Sequence, residues 1–175
     1  ARIRFLPEVD GRQAIQAIAR LLAQQGAHVI VSSRKLEGCQ PVADGIIADG
    51  GKATAMACHI GEMEQITQTF ARIRQDFGRL DILVNNAGTI RRQDALDFSE
   101  KDWDDVMNLN LKSVFFLSQA VARQFLAQGN GGKIINIASM LSIQGGIRVP
   151  SYTASKSGVL GITRLMANEW AKEGI

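Results

Sequence analysis

Leu80-Asp81-Ile82-Leu83-Val84-Asn85-Asn86-Ala87-Gly88 decides the fold. The stretch 80–84 is apolar apart from Asp81 and too short for a helix, so it reads as a buried strand. The strand runs straight into asparagines and small residues, where backbone can come close to a ligand. Working outward, strand-like and helix-like segments alternate. Upstream, Arg2 to Leu6 predicts a first strand, although two arginines are unusual in a buried one. Gln13 to Gln25 has helical periodicity through Ile15, Ile18, Ala19 and Leu22 and stops at Gly26. His28 to Val31 predicts a strand, Leu36 to Asp49 a helix, Thr54 to Cys58 a weak strand, and Met63 to Phe77 a helix ended by Gly78. Downstream, Ser99 to Asp102 has the form of a capping box and opens a long helix to about Gln128. Lys133 to Ala138 predicts a fifth strand and Ser151 to Lys172 a final helix. Short apolar strands separated by helices imply a parallel sheet covered on both faces, wound in both directions by right-handed crossovers. One α/β domain over 1–175 accounts for the chain.

Bulk composition narrows the function classes. The 175 residues are 46% hydrophobic and 21% charged, and twenty basic against seventeen acidic residues leave only +3. That surplus is too small for a nucleic-acid surface, and Arg91-Arg92 is explained as well by a solvated loop. Cys39 and Cys58 have neither metal-like nor disulfide-like spacing, which suits a reducing compartment. No membrane span and no signal core stand out, so the expectation is a cytoplasmic protein with no metal, no nucleic acid and a small-molecule substrate.

Four features carry chemistry. Tyr152, the only tyrosine, and Lys156 are four residues apart. On a helix that spacing puts phenol and ammonium on one face. A fixed cation beside a phenol favours the phenolate and lowers a pKa that starts near ~10, making a proton carrier usable near neutral pH. A polar helix face with a half-buried tyrosine is the blander alternative. Ser139 follows the fifth strand, where its hydroxyl would meet a substrate oxygen. Asn85, Ala87 and Gly88 end the fourth strand, at the edge where open parallel sheets bind ligands; a plain turn is the alternative. Asn108-Leu109-Asn110 interrupts the long helix, and asparagines there mark a kink or an exposed polar pair.

In this order and spacing, Asn85 to Gly88, Asn110, Ser139, Tyr152 and Lys156 resemble the motifs of the short-chain dehydrogenase/reductase family. The resemblance implies a Rossmann-like fold, truncated after the fifth strand and its following helix, with that strand left as an edge. It implies an NAD(P)-dependent oxidoreductase acting on a secondary alcohol or ketone. Tyr152 would be the catalytic acid/base, Lys156 would bind the nicotinamide ribose, Ser139 would hold the substrate oxygen, and Asn110 would anchor a relay water. From Asp81 to Ile175 the chain is similar to sugar-acid members of the family, those acting on 2-deoxy-D-gluconate. From Arg20 to Glu64 it is more similar to members that reduce retinal and other carbonyls. Gln144 and Arg148, just before Tyr152, are candidate substrate contacts, with Arg148 opposite a substrate carboxylate. Family members form dimers and tetramers, and small Ala154, Ser155, Ser157 and Gly158 would let helices of two copies pack closely.

Two departures bear on the cofactor. The family's glycine-rich first turn has no counterpart: Glu8, Val9, Gln13 and Ile15 stand where threonine and three glycines are expected, in the pyrophosphate path. A non-catalytic family fold acting as a binding or structural protein is therefore the second reading. After the second strand, Ser32-Ser33-Arg34-Lys35 supplies cations and no carboxylate. Two cations, Arg34 and Lys35, beside Ser33 lean toward the extra phosphate of NADP, while the sugar-acid resemblance pulls toward NAD and a solvated helix start is the plain alternative.

Overall fold

A computed structural model describes residues 3–7 and 12–175, with side chains for 3–5 and from 15 onward. Five parallel strands form one sheet: β1 (Ile3–Pro7), β2 (His28–Ser33), β3 (Lys52–Ala57), β4 (Ile82–Asn85) and β5 (Lys133–Asn136). Their spatial order is β3-β2-β1-β4-β5. The chain walks outward from β1 to β3, returns to pair β4 with the other side of β1, and adds β5. Such a reversal places a crevice at the carboxyl ends of β1 and β4. The doubly wound expectation holds, and β5 is an edge.

The strands are fixed by where alternate side chains go. Along β2, Ile30 joins one apolar cluster while Val29 and Val31 join the other; along β4, Leu83 and Val84 divide in the same way. One cluster receives Phe70 and Ile73 from α3 (Met63–Phe77) and Leu117, Val121 and Phe125 from α5 (Ser113–Gln128). The other receives Ile15 and Ala19 from α1 (Arg12–Gln24) and Val42 and Ile46 from α2 (Leu36–Ala48). Ile15 is thus fully buried in the core, and not in a phosphate path as its alignment implied. Glu8 and Val9 lie outside the described residues. Arg4, odd for a strand, is buried in β1.

The long helix is broken as its asparagines suggested. Ser99 caps α4 (Glu100–Met107) by accepting a hydrogen bond from the Asp102 N–H at 3.1 Å. A π-helical turn, Asn108–Lys112, then separates α4 from α5. Such bulges turn side chains off the regular helical face and are frequent at functional sites. A short helix α6 (Leu141–Gln144) and α7 (Pro150–Trp170) complete the chain, with Pro150 in the first turn of α7. Gly158 of α7 comes so close to Leu111 that a Cβ there would sit 2.7 Å from its side chain. Ser157 donates to the Ser142 carbonyl at 3.0 Å, and Ser155 is fully buried. Gly158, Ser157 and Ser155 of α7 thus serve close packing within the chain.

Phe125 is the packing pivot between α5 and the turn before β5: a Cβ on Gly132 would meet its ring at 2.4 Å. Phe125→Ala is expected to cost about 3–5 kcal/mol of unfolding free energy in urea titration.

Candidate functional site

Lys156 is the centre of the site. It projects from the second turn of α7 and is 95% buried, at a relative exposure of 5%. Its ammonium donates to the Ile137 carbonyl at 2.6 Å, just past the carboxyl end of β5. It lies 5.9 Å from the centroid of the Tyr152 ring, so phenol and ammonium share one face of α7. Burial pushes the Lys156 pKa below the ordinary lysine value. With one N–H spent on Ile137, the ammonium keeps two donors for a ligand.

The β4 turn faces this ammonium. A Cβ on Gly88 would sit 3.8 Å from the Lys156 nitrogen and 3.5 Å from Asn110 Oδ1. Asn110 is fully buried on the π turn. Its Oδ1 accepts from the Thr89 N–H at 2.8 Å, and its Nδ2 donates to the Thr89 carbonyl at 2.8 Å and to Ser155 Oγ at 3.3 Å. Ser155 in turn donates to the Tyr152 carbonyl at 2.9 Å. Asn110 thus clamps the β4 turn to the helix that carries Tyr152 and Lys156. Thr89 and Ser155 were not among the expected site residues. The signal for Ser155 was its place in a buried row at spacing four with Ser151 and Val159; Thr89 is held by its backbone, which leaves no residue signature.

Other expected residues divide. Ser139 is half-buried after β5; its hydroxyl accepts from the Leu141 N–H at 3.2 Å and its O–H remains free to donate. Asn85 is buried and spends its amide between sheet and helix, donating to Asn136 Oδ1 at 2.8 Å and Ser118 Oγ at 3.1 Å. Its Nδ2 thus ties β4 to β5 and α5, while its buried Oδ1 has no hydrogen-bond partner among the described residues. Ala87 is buried in the core. Gln144 is exposed. Arg148 is exposed and already paired with Asp94, at 2.9 Å.

Beyond Thr89 opens a cavity of about 480 Å³ lined by Arg34, His59, Ile60, Thr89, Lys112 and others. Arg34 is exposed at the end of β2, and Ser33 donates to the Lys35 carbonyl. Its wall carries three cations, Arg34, Arg91 and Lys112, against one carboxylate, Asp105, a balance that suits an anion. Among the described residues, no helix is long and apolar enough to cross a membrane.

A pattern described as short chain dehydrogenase matches residues 15–175. The chain belongs to the short-chain dehydrogenase family. It is 60% identical over 160 residues to the 2-dehydro-3-deoxy-D-gluconate 5-dehydrogenase of Escherichia coli, covering 91% of this chain and 62% of that protein. It is 39% identical over 158 residues to the gluconate 5-dehydrogenase of Gluconobacter oxydans, covering 90% and 61%. A solved structure from Agrobacterium tumefaciens, assigned as a 2-deoxy-D-gluconate 3-dehydrogenase with bound NADP, superposes with a TM-score of 0.88 at 48% identity over 100% of this chain and 68% of that one. The chain therefore spans about three-fifths of the length of these curated relatives. Sugar-acid relatives also run through most of Arg20 to Glu64, because a 160-residue match leaves only fifteen of 175 positions outside it.

The buried ammonium gives a stability test. Lys156 is costly in the fold while charged, and that cost is complete below its lowered pKa. It is relieved as pH rises through that pKa toward the unfolded value near ~10.4. The melting temperature of wild type is expected to gain on that of Lys156→Met between pH 7 and 10. Parallel curves would show that the ammonium is not desolvated.

Proposed function

We propose that this chain is the cofactor-binding and catalytic part of an NAD(P)-dependent oxidoreductase that interconverts a secondary alcohol and a ketone on a sugar acid. The observation that supports it most is the buried Lys156 ammonium 5.9 Å from the ring of the only tyrosine, beside Gly88 and at the carboxyl edge of the sheet. The substrate class is drawn from the sugar-acid names of the relatives.

The residues fit the cofactor at two ends. Gly88 keeps the space beside Lys156 open, where the ammonium's two free donors suit ribose hydroxyls. Arg34, just past the end of β2, lines the cavity where a 2′-phosphate would favour NADP over NAD, and Lys112 of the π turn lines the same cavity. When bound, the nicotinamide supplies the hydride acceptor or donor.

The chain's own residues then manage a proton and a charge. In oxidation the Tyr152 oxygen, as phenolate, takes the hydroxyl proton of the substrate; in reduction it returns one. The Lys156 charge stabilises the phenolate, and its burial strengthens that interaction by excluding water. Ser139, with its O–H free, donates to the substrate oxygen as negative charge grows there. Asn110 holds the β4 turn and Tyr152's helix at a fixed separation through its bonds to Thr89 and Ser155, alongside its proposed part in anchoring a relay water. We place Asn110 as a clamp. A homo-oligomer, dimer or tetramer, belongs to the same proposal and is read by size exclusion with light scattering.

Tyr152→Phe is expected to lower turnover of 2-deoxy-D-gluconate or its keto counterpart by ~10²-fold or more, with an unchanged circular dichroism spectrum. Retained turnover would refute the assignment. Arg34→Asp is expected to lower the NADP-over-NAD ratio of kcat/KM by at least ~10-fold, since a repelling carboxylate replaces a phosphate partner.

A further inference from the structure

Arg148 has the only positive φ outside glycine among the described residues, at 63°. A left-handed arginine is strained by its own Cβ, and such strain persists only where the surroundings enforce it. What enforces it here is a double tie. The Arg148 carbonyl accepts from the Gln93 N–H at 3.0 Å, and its guanidinium pairs with Asp94 at 2.9 Å. Both side chains of the pair are more than half exposed, 56% and 64%. An exposed pair of this kind adds little stability, so the tie does not repay the strain as a stability device.

Its position is informative. Residues 93–94 end the segment that leaves β4 past Gly88 and Thr89. Arg148 directly precedes the first turn of α7, where Thr153 N–H bonds the Val149 carbonyl at 3.0 Å. The same segment is held twice more. Asn110 grips Thr89, and Arg91 reaches both Thr89 Oγ1 at 3.2 Å and Asp102 of α4 at 3.3 Å. The β4 segment is therefore pinned to the π turn, to α4 and to α7, the last through Asn110 and Ser155 in its second turn and through Gln93, Asp94 and Arg148 at its entry.

We propose that Arg148 is a positioning residue: its left-handed turn and its tie to Gln93 and Asp94 set the entry of α7, and so hold Tyr152 in register with the Gly88–Thr89 turn. The proposal rests on the reading of Tyr152 as proton carrier only for its functional consequence, since the register itself is measurable without turnover. It also makes Asp94, rather than a substrate carboxylate, the partner of the Arg148 guanidinium.

Because Tyr152 is the only tyrosine, ring-¹³C-labelled tyrosine gives a single signal from the site. Asp94→Ala and Arg148→Ala are expected to shift or broaden that signal and to speed hydrogen exchange at the Gln93 amide by roughly fivefold, the scale of a lost exposed pair. Arg148→Gly separates strain from pairing. Glycine accepts the positive φ, so this variant is expected to fold at least as stably as wild type yet still disturb the tyrosine signal. Exchanging the charges, Asp94→Arg with Arg148→Asp, is expected to restore it. A tyrosine signal unchanged in all three single variants would overturn the proposal. So would tighter gluconate binding in Asp94→Ala with that signal unmoved, an outcome that would make Arg148 a carboxylate anchor. A disturbed signal accompanied by full turnover in Tyr152→Phe would leave the positioning role standing and remove the catalytic one.

Discussion

A lysine ammonium taken out of water is the constraint around which this structure is arranged. A buried cation without partners is expensive, and Lys156 has one protein acceptor, the Ile137 carbonyl, with burial already drawing its pKa down. Beside it, Asn110 and Ser155 bring the β4 turn with Gly88 against α7. Desolvation costs stability and increases the influence of the charge on a neighbouring phenol. In the proposed reading the site trades the first for the second.

The sheet supplies the geometry for that trade. Reversal of strand order between β1 and β4 gathers the ends of β4 and β5 at one edge. The π turn lets one residue, Asn110, leave the helical face and reach across to Thr89. Without the bulge, α4 and α5 would continue as one regular helix and that amide would follow the helical repeat. The polar contacts at this edge are mostly side chain to backbone, so they fix where segments lie more than which side chains may occupy them.

Much of this was legible in the sequence because it depends on spacing. Tyr152 and Lys156 share a face because four residues make one turn, and the alternation of Val29, Ile30 and Val31 between two cores follows from the strand repeat. Ser99 as a cap and the break at the asparagines were also readable, since capping and helix interruption are local chemistry. What could not be read was tertiary. Asn85 also ties β4 to β5 and α5, which could not be read because its partners Ser118 and Asn136 are remote in sequence. Ile15 seemed to obstruct a phosphate path and is core, a matter of which way α1 is turned. Arg148 looked free for a substrate, but its partner Asp94 lies 54 positions earlier. Gly158 and Ser157 of α7 pack against Leu111 and Ser142, partners too remote in sequence for spacing to name.

The ammonium's two proposed roles are proton-site partner and cofactor contact, and calorimetric titration of NADP into wild type and Lys156→Met measures the second directly. Saturable micromolar binding by wild type, weakened at least ~10-fold when the charge and its hydrogen bonds are removed, is the predicted result. No binding by wild type at millimolar NADP or NAD, or equal affinity in the two proteins, would contradict it.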